Sequence, residues 1–368
     1  MLLTVESLLN NKKILQAVID RTVVSLLEMD KVFWKDYLVY DKANPDGTFK
    51  TYLGTQIGVI AGTVIDRYAN KPIRKRHALT SGYGEVACYG DAYQMDNTRL
   101  EKLNIMIQEF NELRSDEVRT IKLNEIVNFL VDDVRQCLLA PMKRLDIMMG
   151  DLRFKGKCAV NGKENKKGVS ILDITLPILS KKAIAADKDN ILTWLKTEFV
   201  DKIRPKGYAL VTMELNQNTF NKYIVSSTEF QGKYTMKFGD MEFNTGNMVT
   251  VDMVNRLLGA VDNPLRFRIK EEWIQISDNE MVNAVPDGRI SLLPALDQKK
   301  LGFMKWKQPY EMIDPVPGRT YTFAEDGKMF ISSYRNSEGR FLEYGMEAIP
   351  DIEIPNKMAI ADLTAIAG

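Results

Sequence analysis

The chain has 368 residues, 45% of them apolar and 27% charged, enough for one large or two ordinary domains and too apolar for a disordered protein. Fifty basic against 49 acidic residues leave a net charge of +1, which excludes a global field that would by itself draw nucleic acid or an acidic membrane. Cys88, Cys137 and Cys158 form no CxxC, as expected for reduced thiols in a cytosolic protein. No run approaches the roughly 18 apolar residues of a membrane helix, and the single histidine, His77, leaves Ser-His-Asp or Cys-His chemistry nothing to work with. No catalytic, metal-binding or cofactor-binding residue is expected.

In chain order, residues 1–30 carry Leu8, Leu9, Ile14, Leu15, Val18, Ile19, Val23, Leu26 and Leu27 at helical spacing among charges. They read either as a helix packed on its own core or as an arm laid on a neighbouring subunit; terminal position alone does not separate the two, and the arm is the reading carried forward. Residues 32–92 are rich in glycine and aromatics, with a strong turn at Asn44-Pro-Asp-Gly47, and read as a loop-rich excursion. At its centre stand Arg67, Lys71, Arg74, Lys75, Arg76 and His77 with few apolar side chains between them. Such a segment is a solvated face, a contact with acidic protein surface or, less favoured, a contact with nucleic acid, and Arg67, Lys71, Arg74, Lys75 and Arg76 are the candidate subunit-contact residues. Gly82-Tyr-Gly84-Glu-Val-Ala87 matches GxGxxA, but a polar stretch precedes it and no amphipathic helix begins within it, so a strand entered through glycines is the reading, not a dinucleotide site.

Residues 96–113 predict a short helix with a capping box, Thr98-x-x-Glu101. The next stretch, 115–156, dominates the sequence. Val118, Ile121, Val127, Leu130, Val134, Cys137, Leu138, Leu145, Met148, Met149 and Leu152 recur every three or four positions. Asp116 and Glu117 open it, Lys143 and Arg144 lie near its end, and Gly150 and Gly156 offer stops. This predicts one long helix of roughly 50 Å, kinked or split at Pro141, too long to be buried throughout in one compact core. Residues 161–168 read as a surface loop, and 169–174 as a strand. From residue 187 helices alternate with strands: helices near 191–199, 219–225 and 250–261, strands near 208–213, 265–269 and 290–293. The chain then returns to β at 320–323, 329–334 and 340–348, the last two as a long hairpin, and its tail, Pro350-Asp-Ile-Glu-Ile-Pro355 and Met358-Ala-Ile-Ala361, reads as an extended strand rejoining the early part of the fold.

This order of elements resembles the major capsid proteins of tailed bacteriophages, the Hong Kong 97-like shell fold. Locally the resemblance is strongest at Val285-Pro-Asp-Gly-Arg-Ile-Ser-Leu-Leu-Pro294 and over residues 343–363, which look like the turn and strand before the late part of such proteins and like their closing strand. The resemblance implies an α+β fold with an N-terminal arm (1–45), an extended loop (46–93), a peripheral domain built on the long spine helix (94–180 and 308–368) and an axial domain (181–307). It implies a structural role, without cofactor or catalysis: hexamers and pentamers closing into an icosahedral shell around double-stranded DNA, assembled in the host cytoplasm and carried in the virion. Some members carry about a hundred residues of scaffold ahead of the arm; here the arm begins at once, so a separate scaffold protein, or none, is implied. The balanced charge implies weak contact with the packaged DNA. Two rival readings are an encapsulin-type compartment shell and an enzyme of unknown type, the latter opposed by the lack of histidines and of a P-loop.

Overall fold

In the computed structural model the described residues are 3–24, 31–54, 79–160, 171–232, 249–260, 264–277, 279–296, 300–337 and 339–366. The chain opens with two short helices, α1 (Val5–Leu9) and α2 (Lys12–Val24). Thr4 caps α1 reciprocally, its hydroxyl accepting from the Ser7 amide at 3.0 Å while the Ser7 hydroxyl accepts from the Thr4 amide at 2.8 Å. Both helices lie on the chain's own core: Leu8, Leu9, Leu15, Val18 and Ile19 are buried, and α2 runs along the long helix described below. Where the sequence leaned towards an arm on a neighbour, residues 3–24 thus pack at home, because one continuous apolar stripe faces the subunit itself.

Strands β1 (Leu38–Tyr40), β2 (Thr48–Gly54), β3 (Leu79–Glu85), β4 (Ala87–Tyr89) and β5 (Ala92–Met95) follow. Strand β3 contains the GxGxxA glycines and pairs antiparallel with β2, as the strand reading expected. Helix α3 (Asn97–Glu112) is capped by Asp96, whose carboxylate accepts from the Arg99 amide at 2.7 Å. The predicted Thr98 box is therefore not the cap. Asp96 stands one residue before the helix in extended backbone, where an N-cap belongs, and Thr98 is already inside.

Helix α4 (Asp116–Lys155) has 40 residues and continues through Pro141. It begins after Ser115 and ends at Gly156, which takes the left-handed conformation (φ 67°) that closes a helix and returns its amide to the Leu152 carbonyl at 3.2 Å. Gly150 is no stop. It lies inside the helix with Ala284 against it, and a Cβ there would stand 2.6 Å from the Ala284 carbonyl oxygen. The apolar period also outruns the core: Val118 and Ile121 are exposed, and the buried positions of the helix start at Ile126.

The remaining elements are β6 (Lys157–Val160), β7 (Ile171–Thr175), β8 (Leu179–Lys182), α5 (Ile191–Leu195, running on into a wide turn), β9 (Leu210–Leu215), α6 (Gln217–Thr219, also running into a wide turn), α7 (Val251–Ala260), β10 (Arg266–Ile269), β11 (Trp273–Ser277), β12 (Glu280–Asn283), β13 (Arg289–Pro294), β14 (Gly302–Lys307), β15 (Thr320–Ala324), β16 (Met329–Asn336), β17 (Gly339–Ile352) and β18 (Ala359–Asp362).

Two sheets organise two cores. In the larger, β17 is long enough, at 14 residues, to carry β16 and then β14 along one edge and β5 and then β4 along the other, with β15 and β1 outermost. Its inward residues, among them Met329, Ile331, Leu342, Met346 and Ile349, meet α4 and the N-terminal helices in one apolar cluster. The smaller sheet has the order β10-β9-β13-β18-β8, and α5, α6 and α7 cover it around a second cluster. Strand β13 serves both: Leu293 belongs to the first cluster, Ile290 and Leu292 to the second. The tail strand β18 does not rejoin the early part of the fold. It is inserted between β13 and β8, because Met358 fills the first core while Ala359 and Ala361 fill the second. The sheets also cross the boundaries read from sequence: β1, β4, β5 and β14 all join the larger sheet, and β18 the smaller.

Candidate assembly surface and the charge cluster behind it

The basic residues Arg67, Lys71, Arg74, Lys75 and Arg76 lie outside the described residues, so the structure brings none of them to a site. What it describes is their attachment. Strands β2 and β3 pair from Thr48↔Glu85 to Gly54↔Leu79, so the chain leaves and re-enters the fold at neighbouring points.

On the larger sheet, the Gly90–Asp91 link between β4 and β5 crosses the β17 edge and opens a groove of about 580 Å³. Asp91, Glu311, Glu343 and Glu347 line it, with Phe330 and Tyr344 as its aromatic wall. The Tyr344 amide donates to the Asp91 carbonyl at 3.2 Å and its hydroxyl donates to the Asp91 carboxylate, which holds the link in place. Gly345 lies beneath Phe330, whose ring a Cβ there would push aside. Lys307 pairs with Glu347 at 3.1 Å and Arg319 with Glu343. The groove therefore keeps a negative surplus at Asp91 and Glu311. Beside it the 308–319 segment exposes Tyr310 and Ile313, the latter 74% accessible. Cys88 also reaches the groove, but partial burial, reinforced by Glu347, pushes its thiol up, away from the thiolate a nucleophile needs.

Behind the surface, where α4 meets the smaller sheet, sits a buried ionic hub. Arg153 donates to Glu214 of β9 at 2.8 Å and to Glu272, the residue before β11, and its guanidinium lies 3.9 Å from the Tyr37 ring centroid. The Tyr37 hydroxyl donates to Glu214 at 2.7 Å, and burial pushes that phenol up, so it stays a donor. All three ionic side chains are at most 1% exposed. Lys270 pairs with Asp36 at 3.0 Å nearby. Asp146, two turns earlier on the same side of α4, accepts from the Trp34 amide at 2.7 Å. Burial raises its carboxyl to about 7; the Trp34 amide and Lys143 oppose the rise, and the charge of Glu272 adds to it. The hub has no solvent-facing group that could act on a substrate; it ties α4, β9, the β11 base and the 34–37 segment together.

Sequence reasoning missed this hub. Its signals were present: Arg153 falls on the inward side of an apolar run, Met148-Met149-Gly150-Asp151-Leu152, and Glu214 interrupts the apolar strand Leu210–Leu215. A charge inside such a run must find a partner, although nothing local says which. Among the described residues, no helix is long and apolar enough to cross a membrane.

No protein-family model matches the chain, and no curated protein does. Solved structures do. A phage-related protein from Bordetella bronchiseptica RB50 superposes with a TM-score of 0.51 at 7% identity, over 96% of this chain and 97% of that one. A protein assigned as a prophage capsid protein, from E. coli CFT073, gives a TM-score of 0.50 at 10% identity, over 96% of this chain and 99% of that one. At such identities the likeness is one of fold, and it runs nearly end to end in both pairs. The chain has the α+β fold shared by these two phage-derived proteins.

Proposed function

We propose that this protein is the major capsid protein of a tailed bacteriophage: a structural subunit, not an enzyme, that forms hexamers and pentamers of an icosahedral shell around double-stranded DNA. The observation that carries the reading is the end-to-end fold match to a protein assigned as a prophage capsid protein, reached independently of the order of elements in the sequence. A 40-residue helix whose first turns expose Val118 and Ile121 agrees with it, since such a subunit leaves apolar surface for neighbours to cover. In this reading the core around α4 and the larger sheet is the peripheral unit, and the core around β9 and β13 the axial unit. Assembly would take place in the host cytoplasm.

Within the shell, Arg67, Lys71, Arg74, Lys75 and Arg76 contact an adjacent subunit, and the groove lined by Asp91 and Glu311 is the acidic surface that suits them best. The packaged DNA is held weakly, a net charge of +1 offering few cations to replace counterions. Negative-stain microscopy of the purified chain tests the reading: closed shells of uniform size are expected. A stable monomer across wide ranges of concentration and salt would overturn it, and shells filled with a protein cargo would point to a compartment instead.

A further inference from the structure

The β11–β12 hairpin is joined to α4 in two ways. Ile147 of α4 packs with Ile274 and Ala284 in a small apolar contact separate from both main cores, and Glu272 at the hairpin's base pairs with Arg153. Base and hairpin end move together, since the Glu272 carbonyl accepts from the Ala284 amide at 2.9 Å and the Glu272 amide donates to the Asn283 side chain at 3.2 Å. Next to Ile147 stands Asp146.

The charges at this junction do not balance where it is driest. Asp146, Glu214 and Glu272 are sealed from water, against Arg153 and the nearly buried Lys270. Lys270 is turned to Asp36. Lys143 stands 3.9 Å from Asp146, and its ammonium donates at 2.6 Å to the Lys31 carbonyl. Arg268, 3.9 Å from Glu214, and Lys31, 3.4 Å from Asp36, are 57% and 53% exposed, so water screens them. Arg153 alone pairs directly with both Glu214 and Glu272, and the charge of Lys270 adds to it at Glu272 without a direct bond. Two oxygens show the shortfall: Asp146 Oδ2 and Glu272 Oε1 are both buried and have no hydrogen-bond partner. A carboxylic acid carries a proton that ionisation removes, so an unanswered buried carboxylate is best relieved by taking one up.

We propose that Asp146 and Glu272 form a proton-operated latch between α4 and the β11–β12 hairpin, closed while the pair holds a proton and slackened when both carboxylates are ionised. Burial raises both groups, Asp146 to about 7. A carboxyl raised in the folded state above its unfolded value of about 3.9 favours the fold fully below that value and loses the contribution as pH rises through 7. Asp36, Asp41 and Asp362 are held below the usual range and so act only at lower pH. Between pH 5 and 8 the latch is therefore read without them. The inference concerns the single subunit and does not depend on the shell reading.

Hydrogen exchange on the unassembled full chain at pH 6 and pH 8, corrected for the intrinsic pH dependence of exchange, tests it. Protection of residues 273–284 should fall about tenfold or more at pH 8, while that of β16 and β17 stays unchanged. Asp146→Asn, which keeps an acceptor for the Trp34 amide but cannot ionise, should erase the difference. Glu272→Gln is the second variant should the first not fold. The proposal is overturned if the wild-type hairpin shows no pH dependence, or if both variants keep the wild-type difference.

Discussion

Replacing Gly150 by alanine separates two effects of opposite sign. In an unconstrained helix interior, Gly→Ala stabilises by about 0.8–1.0 kcal/mol, because glycine surrenders more backbone freedom. At position 150 the added Cβ would stand 2.6 Å from the Ala284 carbonyl oxygen and 2.7 Å from the Ala284 Cβ. Ordinary contact requires each to open by roughly half an ångström or more, and the obstructing carbonyl is backbone, which cannot rotate aside as a side chain can. Nor is Ala284 free to retreat, since its amide is bonded to the Glu272 carbonyl and moving it disturbs the partner of Arg153. Overpacking costs about 1–3 kcal/mol, and against backbone that cannot turn aside it falls in the upper half of that range, about 2–3 kcal/mol, so Gly150→Ala should destabilise by about 1–2 kcal/mol net. Urea unfolding of the unassembled subunit measures it. Adding Ala284→Gly should recover only part of the loss, because the carbonyl remains. A Gly150→Ala subunit as stable as the parent, or more so, would refute the argument that α4 and the 284 backbone are in contact.

Removing residues 1–24 takes Leu8, Leu9, Leu15, Val18 and Ile19 from the first core. At about 1.5–3 kcal/mol each, the loss is on the order of the stability of a whole domain, so the truncated chain should show no cooperative unfolding; an unchanged urea midpoint would show these helices to be dispensable. Arg153→Met leaves Glu214 and Glu272 buried without their cation and should cost about 3–5 kcal/mol, measured as a drop in urea midpoint; a loss below about 1 kcal/mol would mean that water reaches the hub. Reversing Arg74 and Arg76 to Glu should leave the melting temperature of the free subunit nearly unchanged yet slow or abolish assembly, most at low salt, and normal assembly at low salt would show a merely solvated segment.

How far the fold could be read from sequence depended on how local its causes are. The span of α4 is local: a repeating apolar pattern, acids at one end and a left-handed glycine at the other. Its neighbours are not. The same period that marks Leu145 and Leu152 as core marks Val118 and Ile121, which the fold leaves exposed. Gly150 and Gly156 look alike in the chain, and only the Ala284 backbone distinguishes a contact glycine from a terminator. The hub was hidden for a related reason: the partners of Arg153 are 61 and 119 residues away, and pairing over such distances leaves no trace in spacing. The two possible caps at 96 and 98 differ by two positions, within the ordinary uncertainty of a helix start. The basic run, the one candidate contact the sequence proposed, lies outside the described residues, and the acidic groove that suits it is assembled from β4, β5, β16 and β17, which no linear pattern joins.

The position of β18 has a consequence for how the two cores depend on each other. Residues 359–362 follow every strand they pair with in the chain, yet they lie in the interior of the smaller sheet, with β13 on one side and β8 on the other, and Met358 beside them fills the core of the larger. Until they arrive, β8 has no partner in that sheet and β13 keeps an open edge, the kind of edge that recruits strands from other chains. Both cores are thus completed by contacts of long sequence separation, which form slowly. A chain cut before Met358 would lose the closing piece of both cores at once and not of the smaller sheet alone, so the two units fold together or not at all.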